Sequence, residues 1–118
     1  MKKYTKMTLG DLITALRELP EGAKVRGFGP SIHSYRGYYE RNALEPETFE
    51  MDAERTADIL SAQEGTLIHG WKGGEYYVSL TEGIYLADLG DVGPIFAGLE
   101  ATEDGVYEPI LLDDGDVW

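Results

Sequence analysis

Apolar residues recur at Leu9, Leu12, Ile13, Leu16 and Leu19, a helical rhythm that stops at Pro20. Thr8 stands where an N-cap is needed, and its hydroxyl can accept from the free amides of the first turn. Asp11, three residues on, places a negative charge at the positive end of that helix. Glu21-Gly22 turns the chain out. These leucines read as core. A second, weaker helix is predicted over residues 53–63, with Ala57, Ile59, Leu60 and Ala62 as its apolar positions, Asp52 as its cap and Gly65 as its stop. Its short apolar side chains predict shallow packing.

The remaining pattern is extended. Residues 23–28 (AKVRGF) alternate as a short strand with Val25 and Phe28 inward. Gly27, Gly29 and Pro30 then break the pattern, so residues 31–36 read as a loop, and an extended path resumes at Tyr38 and continues through 42–46. Residues 47–51 form an acidic connection. Residues 66–71 and 75–80 form a hairpin about Lys72-Gly73-Gly74. A strand follows at 83–87, then a glycine-punctuated loop at 88–94 (DLGDVGP) facing solvent or a ligand. Residues 95–101 and 106–112 form a last hairpin about Glu103-Asp104-Gly105. The sum is an α+β fold, an antiparallel-rich sheet of about five to seven strands with two helices packed on one face. One domain is expected, with an N-terminal tail at 1–7 and an acidic C-terminal tail at 113–118.

Length and composition agree with this: 118 residues, 42% of them hydrophobic, suffice for a buried core. Cysteine is absent, which excludes disulfides and thiolate chemistry. Residues 1–6 lack the apolar run of a secretory signal, and no stretch is apolar enough to cross a bilayer, so a cytoplasmic location is expected. Charge changes the picture more. The formal net charge is −12, and every lysine and arginine lies at or before Lys72, so residues 73–118 carry 11 acidic side chains and no basic one. Such a field repels a phosphate backbone, and direct nucleic-acid binding is not expected. It can instead attract a basic protein surface, or simply keep the chain soluble.

Candidate chemistry concentrates in residues 27–40, GFGPSIHSYRGYYE. Tyr35, Tyr38 and Tyr39 offer ring faces and hydroxyls, Arg36 a planar donor fork for phosphate or carboxylate, and His33 and Ser34 further donors. The flanking glycines would let backbone amides approach an anion, although no Walker or dinucleotide fingerprint is present. The plainer reading is that these tyrosines alternate across a strand, with Arg36 paired to Glu40 or Glu45. A second candidate is 70–76, where Trp71 and Tyr76 could form a stacking wall and Lys72 could reach a phosphate; its plainer reading is a glycine turn between strand aromatics. Catalysis is not expected. His33 and His69 are the two histidines, no metal-ligand spacing occurs, His33 beside Ser34 is no triad, and the pairs Glu103-Asp104 and Asp113-Asp114 suit turn and tail solvation. No cofactor is implied.

The blocks GFG…HSYRGYYE…LEP, GWKGGEY and TEGIYLADLGDVG, in this order behind a leucine-rich first helix, resemble a group of small uncharacterised proteins of tailed bacteriophages. The resemblance spans residues 8–93. His33, Ser34, Arg36 and Gly37 match a P-H-S-x-R-G segment, whereas Ile32 stands where proline is usual. The C-terminal hairpin has no counterpart. The resemblance carries no activity, but it implies a phage source and action inside a host cell. Small acidic phage proteins of this kind often counter host defence, by sequestering a nucleotide signal or by blocking a host protein. Two expectations follow. In the first, His33, Ser34, Tyr35, Arg36, Tyr38, Trp71 and Lys72 hold an anionic, nucleotide-like small molecule, and a homo-oligomer would help bury it. In the second, Glu103, Asp104, Asp113 and Asp114 present an anionic face to a basic groove of a host protein, as nucleic-acid mimics do.

Overall fold

Thr8 caps the first helix, α1 (Leu9–Arg17), in the manner its sequence dictates. The Asp11 amide donates to Thr8 Oγ1 and the Thr8 amide donates back to Asp11 Oδ2, both at 3.0 Å, so two otherwise unpaired donors are satisfied reciprocally. Leu9, Leu12, Ile13 and Leu16 are all buried. The computed structural model describes residues 5–35, 38–69, 75–88 and 91–112, and their side chains apart from those of 33–35, 38–41, 67–69, 75–76, 88 and 91–92.

The second helix, α2 (Ala53–Ala62), is capped by Asp52, whose carboxylate accepts from the Arg55 amide at 2.9 Å. It packs more deeply than its composition predicts. Ala53, Thr56, Ala57 and Leu60 are buried, and the small alanines let α2 lie directly against α1. The Thr56 hydroxyl is satisfied by the Asp52 carbonyl at 2.8 Å, which removes the usual cost of burying it. Ile59 and Ala62, expected on the apolar face, point to solvent.

Among the described residues there are nine strands: β1 (Lys24–Val25), β2 (Ile32–Tyr35), β3 (Tyr38–Leu44), β4 (Met51–Asp52), β5 (Leu67–His69), β6 (Glu75–Tyr77), β7 (Ile84–Asp88), β8 (Asp91–Ala101) and β9 (Tyr107–Leu112). Seven of them form one sheet in the order β2-β3-β7-β8-β9-β1-β4, and β5 and β6 pair antiparallel apart from it. The fold is α+β. The sheet is mixed: β3 runs parallel to β7 and β1 parallel to β9, the other neighbours being antiparallel.

One core cluster joins the inward leucines of α1, Ala57 and Leu60 of α2, and Val25, Phe28, Ile32, Leu44, Ile84 and Phe96 from the sheet side. Both helices therefore cover the same face. Phe28 and Phe96 meet edge to face at its centre, ring centroids 5.3 Å apart and planes at 81°. A smaller cluster of Tyr85, Ile95 and Ala97, with Ile110 and Leu112, forms separately. Met7, expected in a tail, is buried, its amide donating to the Phe96 carbonyl at 2.9 Å and its carbonyl accepting from Ile84 at 3.1 Å.

Two stretches expected as loops are strands. Residues 32–35 form β2, because Ile32 is buried and pairs with Leu44, and His33 pairs with Ala43. Residues 91–94 belong to β8 despite Gly93 and Pro94. The register between β7 and β8 shifts between Tyr85 and Ala87, so Leu86 faces both Gly93 and Pro94 across a bulge, where a residue without an amide hydrogen is tolerated. The expected strand 23–28 shrinks to β1, although Val25 and Phe28 are inward as predicted. The β8–β9 hairpin forms about its Asp104-Gly105 turn, Gly105 having φ 83°, a conformation open to glycine without strain.

Candidate functional site

The described residues singled out for ligand binding fall on β2 and β3, which the fold brings beside the β5–β6 pair. His33, Ser34 and Tyr35 lie on β2, the end strand of the large sheet, and Tyr38 on β3 beside it. The β5–β6 pair stands next to this edge, β5 against β2 and β6 against β3. The strands on either side of 70–74 are thus neighbours of β2 and β3. Arg36, Trp71 and Lys72 lie outside the described residues, as do the side chains of His33, Ser34, Tyr35 and Tyr38.

Gln63 holds this arrangement in register. At the C-terminus of α2 its side-chain oxygen accepts from the Ile32 amide at 2.9 Å and its nitrogen donates to the Pro30 carbonyl at 2.7 Å. A primary amide supplies both donor and acceptor, so one side chain satisfies two backbone groups at the start of β2. Beyond it, the Gly65 amide donates to the Val78 carbonyl at 2.8 Å and Val78 donates to Thr66 at 3.0 Å, which ties β5 and β6 to the same helix end.

The acidic hairpin turn is already engaged. Arg26, just after β1, donates from Nε to Glu108 at 2.7 Å and from Nη1 to Asp104 at 3.2 Å, and its Nη1 lies 3.8 Å from Glu50. Its amide also donates to the Tyr107 carbonyl at 2.9 Å, extending the single parallel pairing of β1 with β9. Of the carboxylates proposed to face a partner, Asp104 is therefore held within the chain. Glu103 is exposed at the turn, and Asp113 and Asp114 lie outside the described residues.

The hydroxyl of Thr102, followed by Arg26, holds the Asp104 carboxyl below its ordinary value of 3.8. A carboxyl with a lower pKa in the folded than in the unfolded state stabilises the fold fully above the unfolded value and loses that contribution as pH falls through the folded one. Thermal melts followed by circular dichroism should show a midpoint that drops as the pH falls below about 4. Asp104→Asn should flatten that drop, and an unchanged profile would count against this linkage.

Sequence reading missed a surface groove. Phe49, in the acidic connection before β4, is 49% exposed, and Ile59 on α2 is 37% exposed. A hollow of about 400 Å³ lies on one side of Phe49, lined by Pro30, Met51, Arg55, Thr56 and Ile59 with Glu50 and Asp52. Another of about 270 Å³, bounded by Gly29, Pro30, Ser31, Glu45 and Glu47, shares Pro30 and Phe49 with it. The signal available in the sequence was one aromatic residue within the polar run EPETFE.

Among the described residues no three histidine or acidic side chains gather as a metal site, and no helix is long and apolar enough to cross a membrane. Comparison with protein-family models, curated proteins and solved structures gives no match to this chain.

Proposed function

We propose that the protein is a non-catalytic binding protein that sequesters an anionic, nucleotide-like small molecule at the junction of the β2–β3 edge with the β5–β6 pair. The observation that supports this is that β5 and β6 lie against β2 and β3, since these strands and the residues between them in sequence carry His33, Ser34, Tyr35, Arg36, Tyr38, Trp71 and Lys72. Aromatic faces on one hairpin and a guanidinium on the other suit a base and a phosphate respectively. In a phage-type counter-defence setting such a protein acts stoichiometrically, and affinity without turnover is enough. A pocket shared between subunits would bury more of the ligand.

Calorimetry against a panel of cyclic nucleotides and ADP-ribose derivatives tests it. At least one compound should release heat with stoichiometric saturation, and Arg36→Ala should weaken it at least about tenfold, the scale of a lost charge-assisted bidentate contact. Purified protein should also carry a purine- or pyrimidine-like absorbance that mass spectrometry identifies. Folded protein that gives no heat with any member and carries no such molecule would sink the reading.

The exposed position of Glu103 favours a second reading, an acidic inhibitor that covers a basic groove of a host protein. It expects binding that weakens steeply with salt and on neutralising Glu103, Asp104, Asp113 and Asp114, with Arg36→Ala harmless.

A further inference from the structure

We infer that the groove about Phe49 is a docking site for a short extended segment of a partner protein, one in which apolar side chains alternate with lysine or arginine. The half-exposed Phe49 lines both hollows, as does Pro30. Their volumes, about 400 and 270 Å³, suit one apolar side chain each, with the segment's backbone passing over the ring. Ile59 and Met51 supply the apolar floor of the larger hollow. Phe49 and Ile59 belong to neither core cluster, so the fold does not require them to be apolar. A large aromatic left half in water, with hollows around it, is the anchor such a contact uses.

The charge around the groove selects the occupant. Glu45, Glu47, Glu50 and Asp52 line the two hollows against one cation among the lining residues, Arg55. Asp52 is engaged as the cap of α2. Glu47 and Glu50 are exposed, and the contact of Glu50 with Arg26 is a long one at 3.8 Å, which leaves it able to meet a cation from outside. An acidic rim over an apolar floor complements a segment whose apolar side chains enter the hollows and whose basic ones reach the rim. The net charge of −12 steers such a segment inward. The same rim disfavours a second copy of this chain, because a symmetric contact would set acidic rim against acidic rim. The geometry also presents backbone: β4 is the end strand of the sheet at this side, so an extended segment can run along it.

The test is selection of random dodecapeptides displayed on a neutral carrier with the full chain as bait, followed by fluorescence anisotropy of the best labelled peptide. Enriched sequences should place leucine, isoleucine or an aromatic residue next to lysine or arginine. Phe49→Ala should weaken the peptide at least about tenfold. Glu47→Lys should weaken it several-fold and reduce its salt dependence. Circular dichroism establishes that each variant is folded, and Glu47→Lys, wholly at the surface, keeps the test alive if Phe49→Ala does not fold. No enrichment, enriched peptides without basic residues, or binding unchanged by the folded variants would each overturn the inference. So would sedimentation showing a dimer that Phe49→Ala dissolves, since the occupant would then be a second copy.

Discussion

Phe96→Ala is expected to cost about 3–5 kcal/mol of folding stability, the range for truncating a buried aromatic ring. Phe96 is fully buried and packs edge to face on Phe28, which is also fully buried. It lies on β8 at the middle of the sheet, beneath the helices, where removal of the ring leaves a space bounded by several elements that cannot all close in. Its backbone carbonyl accepts from the Met7 amide, so the strand is pinned and collapse into the cavity is restricted further. Against a typical total of about 5–15 kcal/mol, the loss is large enough to bring the variant close to unfolding. Urea titration should show a lower midpoint with an unchanged slope. A cost below about 1 kcal/mol would mean that the two rings are not the centre of the core.

Asn42→Leu is expected to cost about 1–3 kcal/mol, although it replaces a polar side chain by an apolar one of similar size in a fully buried place. Asn42 Nδ2 donates to the Ser79 carbonyl at 3.1 Å and approaches the Glu82 carbonyl at 3.5 Å. The same turn receives the start of α1, the Leu9 amide donating to Glu82 and the Gly10 amide to Leu80, both at 2.9 Å. Asn42 therefore fastens β3 to the turn that fastens the helix. Leucine would remove the donor that Asn42 gives the part-buried Ser79 carbonyl, and that loss exceeds what its methyl groups gain. Thermal melts and native-state hydrogen exchange can follow this. The amides of Leu9 and Gly10 should lose protection first, and a stable variant with unchanged exchange would contradict the role given to Asn42.

Phe96→Ala acts in the helix-covered core, which includes Ile32 of β2, and Asn42→Leu acts on β3, the strand paired with β2. The ligand site is proposed on β2, β3 and the β5–β6 pair, and the groove joins β4 and α2 to the residues just before β2 and just after β3. Because Gly29, Pro30, Ser31 and Glu45 of the groove adjoin β2 and β3, nucleotide binding and peptide binding should both be measured on every variant.

Local chemistry was enough to read much of this chain. Thr8 and Asp11 named the start of α1, because a capping box needs only residues three apart. Asp52 and Gly65 bounded α2 in the same way, and Asp104-Gly105 turned the last hairpin, since a turn depends on the backbone freedom of two residues. Periodicity gave the buried face of α1. The depth of α2 was not legible, because alanine is uninformative until a partner surface is known to approach it. Nor was β2, whose pairing with β3 and anchoring by Gln63 both come from residues distant in sequence. Gly93 and Pro94 read as a break, and only the register of β7 against β8 supplies the bulge that keeps them in a strand. For the candidate site, residue types pointed to 27–40 and 70–76. That β5 and β6, on either side of 70–74, settle beside β2 and β3 is a property of the tertiary structure. The groove shows the limit most plainly: sequence alone determined that Phe49 sits among acids. Its exposure, the hollows beside it and the α2 residues that share them arise from long-range packing, which no local pattern encodes.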